Sequence, residues 1–252
     1  MPRALPWKTA WVTGASSGIG HEISMRLAAG GCRVAISARS ADKLVLMRRE
    51  HAGFLAVPFD VKDTAATARA AAEVVAHFGP PDLVLLNTGV GVFKSAARLD
   101  ADLFREAFET NVIGMGNALA AILPAMIERG SGHIALMGSL AGYRGFPHAI
   151  HYAPTKAAIR SMADCLRFDV GAKGLDITII NPGYIETPLT ATNEYPMPGL
   201  MPLAPAVDKI MAGLVARKFE IAFPWHMALL VKLGVRISNG AYFRATRWTV
   251  GG

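Results

Sequence analysis

Two cysteines, Cys32 and Cys165, are all that 252 residues contain, and neither lies in a CxxC or Cys/His spacing. That scarcity argues against a disulfide scaffold and a structural zinc site, fits a reducing compartment, and leaves both thiols as expected core residues; no metal is expected. Uncharged apolar runs of about 18 residues are missing too, so no membrane span is expected. The opening "MPRALPWKTAWVTG" has one Arg and no apolar stretch ahead of its first strand-like run, which predicts no signal peptide and a cytoplasmic location. Acids are the scarcer charge, 19 Asp+Glu against 26 Lys+Arg, for a net charge of +7. No basic run accompanies that excess: the cations are scattered, densest near Arg48, Arg49 and the C-terminus. This pattern disfavours nucleic acid as a partner and leaves a phosphate-bearing ligand or an anionic surface. Internal repeats and low-complexity tracts are also absent.

Hydrophobic residues are abundant, 52% of the chain, and they come in short β-rich runs separated by longer helical patterns. "TAWVTG", "RVAISAR", "FLAVPFD", "DLVLLN", "HIALMGS", "DITIINPG" and "FEIAFP" each read as a strand buried on both faces. Strands alternating with helices predict an α/β fold: a doubly wound parallel seven-stranded sheet, Rossmann-like, in a single domain over 1–252. The longest helices are expected at about 101–129 and 152–173, and a C-terminal amphipathic extension at about 225–252. "NEYPMPGLMPLAP" holds four prolines among Met and Leu, and the stretch at about 190–205 is expected to be an irregular lid over an apolar pocket.

Two motifs carry chemistry. "TGASSGIG" follows the first strand and opens the first helix; its glycines Gly14, Gly18 and Gly20 stand where a backbone turns sharply and approaches a ligand, with the helix N-terminus facing a pyrophosphate. In "HYAPTKAAI", Tyr152 and Lys156 fall at i and i+4, one above the other on one helical face, and Pro154 suits the first turn. An adjacent ammonium favours the phenolate of a tyrosine whose ordinary pKa is about 10, so the pair is expected to serve acid/base chemistry.

The TGxxxGxG turn together with YxxxK resembles the short-chain dehydrogenase/reductase family, over roughly residues 8–190. Further family marks follow in order: Asp60 ending the third strand, "NTG" at Asn87 to Gly89 with Thr88 in place of the usual Ala, Asn111 in "FETNVIG", Ser139 closing "HIALMGS", and "NPGYIETPL" with Thr187. The resemblance implies a catalytic set of Asn111, Ser139, Tyr152 and Lys156: Tyr152 the general acid/base, Lys156 on the nicotinamide ribose, Ser139 on the substrate oxygen, and Asn111 holding a water that links Lys156 to solvent. It implies cofactor contacts from Gly14, Ser16, Ser17, Gly18, Ile19, Gly20, Arg39, Ser40, Asp60, Val61, Asn87, Gly89, Pro182, Gly183, Ile185 and Thr187, besides Tyr152 and Lys156. His148 and His151 are read as ordinary loop residues.

Ala38 stands where an acid would take the ribose 2′-hydroxyl of NAD, and Arg39 beside it suits a 2′-phosphate, so NADP(H) is expected over NAD(H). Ser40 is either a second phosphate donor or the cap of the next helix. Family placement puts Val90, Val92, Leu140, Tyr143, Phe146, Tyr184, Leu189, Tyr195, Met197, Leu200 and Met201 around the substrate, a mostly apolar wall that fits a hydrophobic alcohol or ketone. A homodimer packed through the two long helices is implied. The competing class is a dinucleotide-binding sensor or scaffold without chemistry. In the tail, Lys232 and Arg236 fall with Trp225 on one side of "WHMALLVKLGVRI", and "AYFRATRW" adds Arg244 and Arg247 with no acid after Glu220. Peripheral contact with an anionic membrane is one expectation; the enzyme's own core, a pocket wall or a dimer partner is the other.

Overall fold

The computed structural model describes residues 5–191 and 196–247. All seven expected strands form: β1 Thr9–Thr13, β2 Arg33–Ser37, β3 Phe54–Ala56, β4 Leu83–Leu86, β5 Gly132–Met137, β6 Leu175–Pro182 and β7 Glu220–Phe223. They make one parallel sheet in the order β3-β2-β1-β4-β5-β6-β7. Burial on both faces explains their unbroken apolar runs. One face packs on α1 Gly18–Ala29, α2 Ala41–Glu50 and α7 Leu203–Val215, around Ile23, Leu27, Leu44 and Ile210. The other packs on α3 Thr64–Phe78, α5 Gly114–Arg129 and α6 Ala153–Gly171, around Val74, Leu119, Ile122, Met126 and Ile159.

The helix expected at 101–129 is continuous but not uniform. α4 Ala101–Phe108 runs into a π-helical turn, Glu109–Ile113, before α5. By length and composition alone the whole of Ala101–Arg129 is long and apolar enough to cross a membrane; here Leu119, Ile122 and Met126 are buried in the core against the sheet. α6 begins with Tyr152 as its N-cap and Pro154 in the first turn, where the missing N–H costs nothing. Cys32 is buried, and burial pushes its thiol up to about 12, whereas Cys165 is exposed rather than in the core.

Several boundaries differ from expectation: β3 ends at Ala56, four residues before Asp60, and β5 at Met137, two before Ser139. The irregular segment after β6 ends earlier, because Leu203 and Pro205 lie in the first turn of α7, a position that tolerates proline. "AYFRATRW" is largely helical: after α8 Trp225–Arg236 the chain turns at Ile237 and Ser238 into α9 Asn239–Arg247.

Candidate active site

The strand order changes direction between β1 and β4, and an open parallel sheet leaves a crevice at the carboxyl ends of its strands at such a point. A cleft of about 1840 Å³ opens there, more than the roughly 1,000 Å³ upper range for one ligand. It has room for two molecules side by side.

One half is built by the turn after β1. Gly14 (φ +66°) and Gly18 (φ +54°) occupy left-handed backbone that other residues enter at a cost. A Cβ on Gly20 would lie 2.5 Å from Asn87 Nδ2, so the close approach of α1 requires glycine there. Asn87 locks the turn: its Nδ2 donates to the Gly14 carbonyl at 3.2 Å and to the Thr13 carbonyl at 3.3 Å, while its own N–H donates to Thr13 Oγ1 at 3.1 Å. Ser16, Ser17, Gly18 and Ile19 then line the cleft at the α1 N-terminus, whose free N–H groups favour an anion.

Arg39 follows β2, exposed and lining the cleft. Ser40 is the N-cap residue of α2, yet its side chain makes no capping bond. Asp60 and Val61 lie on the wall beside them, Asp60 accepting the Lys62 N–H at 2.9 Å. Asp60 is the one carboxylate among the described lining residues, against Arg39, Arg144 and Lys156. This donor set fits a phosphate-bearing dinucleotide. Asn87, Gly89, Pro182, Gly183, Ile185 and Thr187 complete that half, and Gly20 backs it without facing it.

At the junction of the halves lie Ser139, Tyr152 and Lys156, all buried. Ser139 lies two residues past the end of β5 in extended backbone; its Oγ accepts the Ala141 N–H at 3.1 Å and donates to the Pro182 carbonyl at 3.4 Å. Lys156 Nζ donates to the Met137 carbonyl at 2.8 Å and stands 5.5 Å from the centre of the Tyr152 ring, which Phe93 also flanks at 5.0 Å. Burial pushes the Tyr152 phenol up to about 12, against a smaller lowering by Ser139, and it pushes the Lys156 ammonium down to about 8. This reverses the direction expected from the i,i+4 spacing. Desolvation dominates at both groups, and the ammonium is turned onto the Met137 carbonyl.

Asn111 lies in the π turn, fully buried behind the cleft wall. Its Oδ1 accepts the Val90 N–H at 2.8 Å, and its Nδ2 donates to the Val90 carbonyl at 2.9 Å and to Thr155 Oγ1 at 3.0 Å. The amide thus clamps the loop after β4 against α6. π turns recur at functional sites, where the extra residue re-aims a side chain.

The second half is apolar. Val90, Leu140, Phe146, Tyr184, Leu189 and Met197 line it as expected from sequence. Tyr143 does not, because its hydroxyl is bonded beneath the wall to Glu220. Met201 is held in a bridge to Ile185 and packs on the core, and Val92 and Leu200 also lie off the lining. Tyr195 lies outside the described residues. Phe93 and Arg144 line it too, with no signal for either in the sequence, and Met227, Leu230, Val231, Leu233, Ile237 and Tyr242 close the outer side, the pocket-wall alternative expected for the tail. The α8–α9 extension is therefore a pocket wall on one face. Lys232 leaves the basic stripe expected with Trp225 and Arg236, donating instead to Glu220 Oε2 at 2.5 Å. His148 lines the cleft, while His151 is buried and its Nε2 accepts the Asp100 N–H at 3.2 Å. No group of three His, Cys, Asp or Glu among the described residues is placed to hold a metal ion.

A parallel sheet, a glycine turn at its switch point and a Ser-Tyr-Lys cluster at the cleft floor define a dinucleotide-dependent class of fold and site. The family model described as short chain dehydrogenase matches residues 8–196. An uncharacterized oxidoreductase of Myxococcus xanthus is 37% identical, with 96% of this chain and 98% of that one covered. A short-chain dehydrogenase of Streptomyces avermitilis superposes with a TM-score of 0.83 at 27% identity, covering 96% of this chain and 98% of that one. An alcohol dehydrogenase of Thermococcus sibiricus, solved with 5-hydroxy-NADP, gives 0.77 at 25% identity over 86% of this chain and 95% of that one. The chain belongs to the short-chain dehydrogenase/reductase family and is an oxidoreductase of that family.

Proposed function

We propose that this chain is an NADP(H)-dependent oxidoreductase that interconverts a carbonyl and a secondary alcohol on a hydrophobic substrate. The observation that carries this reading is the burial of Ser139, Tyr152 and Lys156 together at the point where the polar, glycine-built half of the cleft meets its apolar half. When bound, the nicotinamide dinucleotide supplies or takes up the hydride. Tyr152, held near 12, is protonated at neutral pH and has a proton to give to a carbonyl oxygen in the reductive direction. Ser139 is placed to donate a hydrogen bond to the same oxygen as charge develops on it, and Lys156 would hold the ribose hydroxyls of the cofactor and add positive charge beside the phenol. In the oxidative direction that added charge offsets the burial that now holds the phenol up.

Arg39, with Ala38 in place of an acid and a Ser40 hydroxyl that caps nothing, supports the 2′-phosphate form of the cofactor. Exposed Ile113 in the π turn and Phe168 on α6, 55% and 84% accessible, support a homodimer through the long helices, and light scattering at micromolar concentration tests it. For the activity, the purified chain is expected to oxidise NADPH in the presence of apolar ketones, and Tyr152→Phe to lose about 10²- to 10⁴-fold in kcat. Equal turnover by the Phe variant would refute the assigned acid.

A further inference from the structure

Glu220, the first residue of β7, gathers four donors from four different elements. Its Oε1 accepts from the Tyr143 hydroxyl in the loop after β5, from Arg160 of α6 at 2.8 Å and from Asn181 Nδ2 of β6 at 3.0 Å; its Oε2 accepts from Lys232 of α8. None of these groups lines the cleft. Half-burial alone would raise this carboxyl, but the bonds from Lys232, Tyr143 and Arg160 outweigh it, so the group is a fixed anion at neutral pH.

Asn181 is 1% exposed and has one amide with two different ends. With Nδ2 committed to the carboxylate, Oδ1 faces the other way and accepts the Ser139 N–H at 3.1 Å. A Cβ on Gly138 would collide with that same Oδ1, so the strand end is packed against it. The carboxylate therefore selects the amide orientation, and the amide orientation fixes the backbone that carries the Ser139 hydroxyl.

We propose that Glu220 is a positioning residue for Ser139, acting through Asn181, and that through Lys232 it ties that serine to the α8 wall of the pocket. The kinetic part rests on the reading of Ser139 as the group that meets the substrate oxygen.

The test compares Glu220→Gln, Asn181→Ala, the double variant and Lys232→Met. Glu220→Gln and Asn181→Ala are each expected to lower kcat about 10-fold or more with substrate KM within about 3-fold, and the double to be no worse than the poorer single. Lys232→Met is expected to raise KM for bulky substrates and to leave kcat within about 3-fold. Independently of turnover, amide hydrogen exchange at Ser139 in the cofactor-free protein is expected to quicken about 10-fold in Glu220→Gln, with the β1 and β4 amides unchanged. If the wild-type chain turns over no carbonyl substrate, the functional reading fails and the exchange measurement still decides the positioning claim. A folded Glu220→Gln with kcat within twofold of wild type, a double variant whose losses multiply, or unchanged Ser139 protection would overturn it. Should Glu220→Gln fail to fold, Asn181→Ala alone decides, since unchanged kcat and unchanged Ser139 exchange there break the relay at its middle.

Discussion

The Arg144 guanidinium lies over the Tyr242 ring, 3.8 Å from its centre, and at the same time reaches the carbonyls of Gly234 and Ile237 and, at 2.7 Å, Asn239 Oδ1. The Tyr242 hydroxyl returns the connection by donating to the Gly145 carbonyl at 2.7 Å. One side chain thus caps the end of α8, marks the turn and holds α9 against the loop that leads to Tyr152. The outer pocket wall is tied down here.

Arg144→Ala is expected to release that wall. A stacked cation and its hydrogen bonds to the end of a helix are worth about 1 to 3 kcal/mol, enough to raise KM for long apolar substrates about 10-fold or more. Hydrogen exchange should quicken in α8 and α9 and stay unchanged in the sheet. Unaltered exchange in the tail would show that other contacts hold it.

Arg39→Ala is expected to raise KM for NADPH about 10- to 100-fold and to leave that for NADH within about twofold, since only the former carries a 2′-phosphate for the guanidinium to pair with. Steady-state kinetics with both cofactors checks this. A loss shared equally by the two would place Arg39 on the common pyrophosphate instead.

His133 is fully buried, with Nε2 2.7 Å from Thr178 Oγ1, and burial lowers its pKa from 6.5 to about 4. Between those values the unfolded chain binds the proton and the folded chain does not, so stability is full above pH 6.5 and falls as pH drops toward 4, by up to about 3 kcal/mol. Glu220, depressed from 4.5 to about 2, adds a second loss as pH falls from 4.5 toward 2. His133→Gln should flatten the upper part of the denaturation-midpoint curve and leave the lower part intact.

The faces of the tail that turn away from the pocket carry Trp225 and Leu229 on α8 and Phe243 on α9, 75%, 49% and 62% exposed, with Arg236 and Arg244 exposed as well. Large exposed apolar groups with cations and no acid fit an anionic lipid surface. The protein is expected to sediment with vesicles rich in phosphatidylserine at low salt and to be released as salt rises. Trp225→Asp combined with Leu229→Asp should abolish sedimentation while turnover of a water-soluble ketone persists. Binding that ignores both lipid charge and salt would count against this partner.

The sheet was legible because strands buried on both faces leave unbroken apolar runs, and the glycine-built half of the cleft because its glycines are required by backbone geometry at fixed places in the chain. The Tyr152–Lys156 spacing pointed to one site, but its electrostatics did not follow from spacing. The sign is set by how deeply both groups are buried and by the Met137 carbonyl, which lies nineteen residues from Lys156. The pocket was half legible. Tyr143 has the composition and placement of a pocket residue, but its hydroxyl is bonded to Glu220, and nothing in the sequence marks its neighbour Arg144, whose partners are about ninety residues away. Contacts of that range leave no periodic trace. The π turn is likewise silent in the sequence, since 101–129 keeps the apolar pattern of an unbroken helix.

The cleft draws on different lengths of the chain: the glycine turn, the Ser139–Tyr152–Lys156 cluster and the inner apolar residues Val90, Leu140, Phe146, Tyr184 and Leu189 come from residues 13–190, and much of the outer apolar wall from residues 227–246. The outer reach of the pocket is therefore written in a passage of the polypeptide separate from the rest of the site. Exchanging everything after Pro224 for the tail of a relative would redraw the pocket's outer reach and leave the glycine turn and the Ser139–Tyr152–Lys156 cluster in place, provided that the incoming helix brings its own cation for Glu220 and its own ring for Arg144.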